Sequence, residues 1–143
     1  MKNPFKTQGF DTLISKGMVL RAATMMLPAG STTIIDGEVH GPDIKEVAEP
    51  NPNSFVNKLI GNTQTTLVVN GKVDCVNNIE VFNITIIGNV TVDKIICEGT
   101  LAIKSGAKVT ANEIRYRSLV IEDGAVVLGQ MSHLDHISAG EQV

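Results

Sequence analysis

One phrase occurs twice in this chain. "TLAIKSGAKVTA" (100–111) and "SLVIEDGAVVLG" (118–129) share a pattern of aliphatics, turn glycine and aliphatics. The stride continues upstream. Leu67, Ile84, Leu101 and Leu119 recur at steps of 17, 17 and 18, and Gly71, Gly88, Gly106 and Gly124 at steps of 17, 18 and 18. Val73, Val90, Val109 and Val127 follow the glycines. Cys75, Val92, Ala111 and Gly129 come two positions later, on the same face of a strand. Ile79, Ile95 and Ile114 close the unit. An earlier copy, "TTIIDGEVHGPDI", places Ile35, Gly37, Val39, Gly41 and Ile44 in the same slots. The step from Gly37 to Gly71 is twice the period, which predicts one degenerate copy between them.

A unit this short has no room for a strand plus a packed helix. It suits three strands of about 4 residues joined by tight corners. One such unit cannot bury its apolar face alone, but stacked units can. Like positions then lie about 4.8 Å apart, and backbone groups pair with the coils above and below. The expected fold is therefore all-β, a three-faced parallel β-helix of about 17–18 residues per coil. Asp11 to Gln130 leaves room for six or seven coils, about 30 Å of axis. Composition agrees: 16 Val, 15 Ile and 12 Thr stand against 9 Leu, and β-branched side chains favour pleated surfaces. Aromatics make up only 3%, so the core is expected to be thin and aliphatic. The glycines are expected at corners where a positive φ is useful, with "DG" and "NG" as corner dipeptides.

The pattern breaks at 42–58, "PDIKEVAEPNPNSFVNK", where Pro42, Pro50 and Pro52 cannot donate to a ladder. An inserted loop at one corner is expected there. Residues 1–10 and 131–143 read as flexible tails around a β-helix domain at 11–130.

A net charge of −3 without a Lys/Arg run gives no footprint for nucleic acid. No apolar stretch approaches the roughly 20 residues of a membrane span, and "MKNPFKTQGF" lacks the apolar centre of a signal peptide. Cys75 and Cys97 lack metal spacing and read as reduced core thiols. These features lead to an expectation of a cytoplasmic protein.

The phrases "FDTLISKG" (10–17), "IIDGEVHG" (34–41) and "LVIEDGAVVLG" (119–129) resemble the bactofilins, polymer-forming bacterial cytoskeletal proteins, over residues 10–130. The resemblance implies a right-handed β-helix with disordered tails. It also implies end-to-end, nucleotide-independent assembly into non-polar filaments. Such filaments serve as scaffolds for cell shape, division or envelope and cell-wall proteins, often at the inner face of the membrane. Bactofilins often carry Phe after "DGAV", where this chain has Val127, which implies a weaker joint. Their short membrane-targeting stretch has a counterpart in Lys2, Phe5, Lys6 and Phe10; a polymer would raise the marginal affinity of one copy by avidity.

Polymerisation also has a physical basis independent of the family. A stacked solenoid exposes a strand edge at each end unless it is capped, and neither end of this sequence offers an amphipathic helix or charged cap. The last coil, with Ile121, Val126, Val127 and Leu128, is expected to meet another copy, head to head if self-complementary.

Enzymatic alternatives are weaker. Hexapeptide acyltransferases need an aliphatic every sixth residue and a cleft histidine. The steps from Val109 to Ile114 to Leu119 are five, and His40 alternates with inward Val39 and Gly41, towards solvent. His133 and His136, with Asp135, would serve a metal only on a helix and with a third ligand. Glu122 and Asp123 are adjacent and diverge, while Asp93, Glu98 and Glu113 fall in different slots, so no grouped carboxylates suit a glycosidase. Neither Gly61 nor Gly71 precedes Lys-Ser/Thr, so no phosphate loop and no cofactor is expected. A discrete-oligomer adhesin or binding module is the remaining alternative to a scaffold.

Overall fold

A computed structural model describes residues 12–28, 30–41, 43–46, 65–75 and 77–134. Thirteen strands form one parallel ladder, wound as a β-solenoid. Equivalent positions recur over about five turns, so each of three faces stacks six strand segments. Face 1 holds β1 (Thr12–Ile14), β4 (Thr32–Ile35), β7 (Thr66–Val69), β10 (Asn83–Ile86), residues 100–103 of β11 (Asn89–Ile103) and residues 118–121 of β12 (Lys108–Ile121). Face 2 holds β2 (Val19–Arg21), β5 (Glu38–Gly41), β8 (Lys72–Cys75), then 89–92, 108–111 and the start of β13 (Val126–His133). Face 3 holds β3 (Thr24–Leu27), β6 (Asp43–Glu46), β9 (Asn78–Glu80), then 94–97, 113–116 and 130–133.

Strand alternation sends one side chain in two towards the axis. The inward columns are Ile35–Val69–Ile86–Ile103, Val39–Val73–Val90–Val109 and Ile44–Ile79–Ile95–Ile114, all 1% exposed or less. Each such side chain contributes about 1.5–3 kcal/mol through burial. The described core contains no aromatic ring. Thr33 departs from the pattern: it stands in the column of Leu67, Ile84 and Leu101, fully buried, and its hydroxyl has no hydrogen-bond partner.

The periodic columns fall where the spacing placed them, but four expectations are corrected. No degenerate coil separates Gly37 from Gly71: Glu38 pairs directly with Lys72 and Gly37 lies under Gly71. Residues 43–46, assigned by sequence to the inserted loop, form β6, because Asp43 and Lys45 point outward while Ile44 fills the core column. Residues 47–64, between β6 and β7, lie outside the described residues, as do 1–11 and 135–143. Residues 131–133, assigned to a tail, continue β13, with Ile114 stacked on Met131.

The fourth correction concerns glycine. Gly106 and Gly124, in the longer corners at 104–107 and 122–125, do have positive φ, at 87° and 89°. The tighter corners at Gly37, Gly71 and Gly88 do not. There the need is space: a Cβ on Gly71 would collide with the carbonyl oxygen of Gly37, and one on Gly88 with that of Gly71. The same corners continue the ladder, with Gly71 N–H donating to Ile35 O at 2.9 Å and Gly88 N–H to Val69 O at 3.0 Å.

The outer surfaces differ by face. Face 2 displays Arg21, Glu38, Lys72, Asp74 and Lys108; face 3 displays Asp43, Lys45, Glu80, Lys94, Glu113 and Arg115. Face 1 displays no charge. Its two outward columns are threonine at 32, 66 and 100 with Asn83 and Ser118, and a second uncharged line of Leu13, Ile34, Val68, Thr85, Ala102 and Val120.

Candidate functional site

The two ends of the solenoid are the features that set this surface apart. At the C-terminal end, residues 118–121 and β13 hydrogen-bond to the coil below, and among the described residues nothing pairs with their other edge. Strand edges of this kind readily accept another strand. The four residues expected at a joint all sit on this coil, but they face two ways. Val127 stacks on Val109 and Ile121 on Ile103, so both extend the inward columns to the open end. Ile121 is 44% exposed, with no further coil among the described residues to cover it. Val126 and Leu128 pair with Lys108 and Thr110 and point outward on face 2.

The coil is firmly held from below. Glu122 accepts from Ser105 N–H at 3.0 Å and from Lys104 Nζ at 3.2 Å. These contacts, the backbone bond foremost, hold its carboxyl below the usual carboxylate range. Tyr116 and His133 meet edge to face at 5.7 Å on face 3. These contacts tie the last coil to the one below it, and its inward column ends expose Ile121.

The strand edge at the opposite end is likewise unpaired among the described residues. β1, β2 and β3 pair only with β4, β5 and β6 among the described residues. Met18, Val19 and Met26 are each about half exposed there, and Leu20 and Met25 are partly buried in the last core layer. The cluster of Met18, Val19, Leu20, Met25 and Met26 in a first coil was the available signal. The candidate membrane contacts Lys2, Phe5, Lys6 and Phe10 lie outside the described residues.

Groups with possible chemistry are dispersed or tied down. His40 Nε2 lies 2.8 Å from Glu38 Oε1 on the outside of face 2, and this hydrogen bond keeps Glu38 below the usual carboxylate range. His133 lies on a strand, not on the helix a metal pair would need, and its expected partners Asp135 and His136 are outside the described residues. Among the described residues no three His, Cys, Asp or Glu side chains converge as a metal set. Burial pushes the Cys75 thiol up to about 12 and Cys97 up to about 11, and Cys97 Sγ donates to Phe82 O. Thiols held protonated in this way are poor nucleophiles.

The structure does gather carboxylates that sequence spacing kept apart. Glu46, Glu80 and Glu98 line one groove of about 170 Å³ with Lys45, Val81 and Ile96. Burial raises the Glu46 carboxyl above its usual range, against hydrogen bonds from Thr65 and the Phe82 backbone. Glu46 and Thr65 are the last and first described residues around 47–64, so their contact closes the base of that excursion.

No family model, no curated protein and no solved structure matches this chain. No helix among the described residues is long and apolar enough to cross a membrane.

Proposed function

We propose that this chain is a structural scaffold that polymerises end to end into nucleotide-independent filaments. The observation that carries the proposal is that, among the described residues, both end coils have an unpaired strand edge and half-exposed apolar side chains. Soluble solenoids ordinarily close such ends with polar caps. The sequence resemblance to bactofilins supports the same reading. Joining like ends, C-terminal coil to C-terminal coil and N-terminal to N-terminal, gives a filament without polarity. Ile121 and Val127 form the centre of the C-terminal joint, and Val126 and Leu128 its rim.

In this proposal the polymer organises envelope-associated proteins in cell shape or division, and residues 1–10, through Lys2, Phe5, Lys6 and Phe10, bring it to the membrane surface by avidity. Negative-stain microscopy of purified protein without nucleotide is the test. Filaments of indefinite length support the proposal. Discrete trimers would instead favour an acyltransferase-like enzyme or an adhesin. Deleting residues 1–10 should abolish co-sedimentation with anionic vesicles while leaving filaments intact; undiminished binding would refute the membrane role.

A further inference from the structure

Three corners between faces 1 and 2 place a carboxylate or amide side chain directly before glycine: Asp36–Gly37, Asn70–Gly71 and Asp123–Gly124. In such a pair the next backbone nitrogen can close a five-membered ring on the side-chain carbonyl carbon, and glycine offers that nitrogen without a Cβ in the way. The structure separates the three corners. Gly37 N–H donates to Ile14 O at 3.0 Å and Gly71 N–H to Ile35 O at 2.9 Å. Their side chains are engaged too, with Asn70 Nδ2 donating to Asp36 Oδ1 at 2.6 Å. Asp123 and Gly124 are both exposed, and among the described residues neither the Asp123 carboxylate nor the Gly124 N–H has a hydrogen-bond partner. Gly124 uses only its carbonyl, which accepts from Gly106 N–H at 3.3 Å.

We propose that Asp123 is a site of spontaneous isoaspartate formation, and that the ladder shields Asp36 and Asn70 from the same chemistry. The Gly124 nitrogen attacks the side-chain carboxyl carbon of Asp123 in its acid form. A C–N bond forms, and the hydroxyl leaves as water with the amide proton. Water then adds to either carbonyl of the cyclic imide. Opening at the side-chain carbonyl restores aspartate. Opening at the main-chain carbonyl leaves the chain running through the side chain, with the former main-chain carboxyl as the free acid. One water is released and one is consumed, so no other reactant is needed. The nitrogens of Gly37 and Gly71 must first leave the ladder, the same local opening that hydrogen exchange requires. The product inserts one methylene into the backbone of the last coil. It falls between two points tied to the coil below: Glu122, which accepts from Ser105 N–H, and the Gly124 carbonyl. This inference stands independently of filament assembly.

The test holds the purified full chain for weeks in warm neutral buffer and maps its peptides by mass spectrometry. Isoaspartate is located by fragmentation of the rerouted backbone and by methylation with an isoaspartyl methyltransferase. Wild type should gain isoaspartate at Asp123 and keep Asp36 and Asn70 intact. Asp123→Asn supplies an internal control, because the same Asn–Gly dipeptide then stands at two corners of one molecule. The introduced amide should be lost at least about tenfold faster than that of Asn70, the factor that one ordinary hydrogen bond gives. In denaturant the two rates should converge. Loss at Asn70 as fast as at position 123 in the folded protein, no product at 123, or a difference that persists in denaturant overturns the proposal. Should Asp123→Asn fold poorly by circular dichroism, wild type decides alone: equal isoaspartate at Asp36 and Asp123 refutes the shielding.

Discussion

Replacing Val127 with arginine distinguishes the joint from the rest of the last coil. Val127 ends the column Val39–Val73–Val90–Val109, with Val109 beneath it and its other side open. In a free subunit the loss is modest. Half the burial of one valine contributes about 1 kcal/mol, and an arginine stem can bend its charge into solvent. In the proposed joint a second coil would enclose the position. An uncompensated buried charge costs about 3–5 kcal/mol, and a two-fold joint places two arginines face to face. That energy corresponds to roughly a 100- to 4,000-fold weaker joint. The assay is the critical concentration for polymer, read by high-speed sedimentation, beside light scattering of the soluble fraction and a circular dichroism melt. A rise of about 100-fold or more is expected, with a melting shift of a few degrees. Leu128→Arg is the control: pointing outward beside Thr110, it should raise the critical concentration less than about tenfold. A folded Val127→Arg protein that polymerises at the wild-type concentration would falsify the assignment of these columns to the joint.

Three further outcomes follow from the packing. Gly106→Ala meets no atom within 4 Å and should lose only the left-handed backbone penalty of about 1–2 kcal/mol, whereas Gly71→Ala, blocked by the Gly37 carbonyl, should lose clearly more in a denaturant melt. Glu46 is held above its ordinary range by burial, so its contribution to stability is fully present below the unfolded carboxylate pKa and lost as pH rises through the folded value; Glu46→Gln should be at least as stable as wild type at pH 7 and should remove that slope from the melting profile. Cys75 and Cys97, at about 12 and about 11, should resist a thiol reagent at pH 8 and react at once in denaturant; fast labelling of native protein would contradict their burial.

The architecture was legible because the solenoid repeats its constraints. Each coil needs an aliphatic at the same inward slot, so Val73, Val90 and Val109 announce one column. The expected degenerate coil has an arithmetical origin: the segment 47–64 is as long as one coil, so the spacing of the glycines alone mimics an extra turn. Only pairing excludes one, and Glu38 pairs with Lys72. The first coil was hidden because its column uses Leu20 and Met25 where later coils use valine and isoleucine, and because Gly17 sits in a longer corner. The glycine corners were found, but their cause was not. Close approach of carbonyls from the coil below is a property of stacking, invisible in one copy of the motif. The uncharged outer side of face 1 was written in the sequence too, but it emerges only once alternate residues of six segments are placed on one side.

The corner between Glu46 and Thr65 has a practical consequence. The coils on either side of residues 47–64 pair directly and in register, with Thr32 opposite Thr66 and Ile44 opposite Ile79. The ladder across that corner is carried by the flanking strands themselves. A fluorescent or enzymatic module grafted there would ride on every subunit, turning a polymer of this chain into a regularly decorated rail.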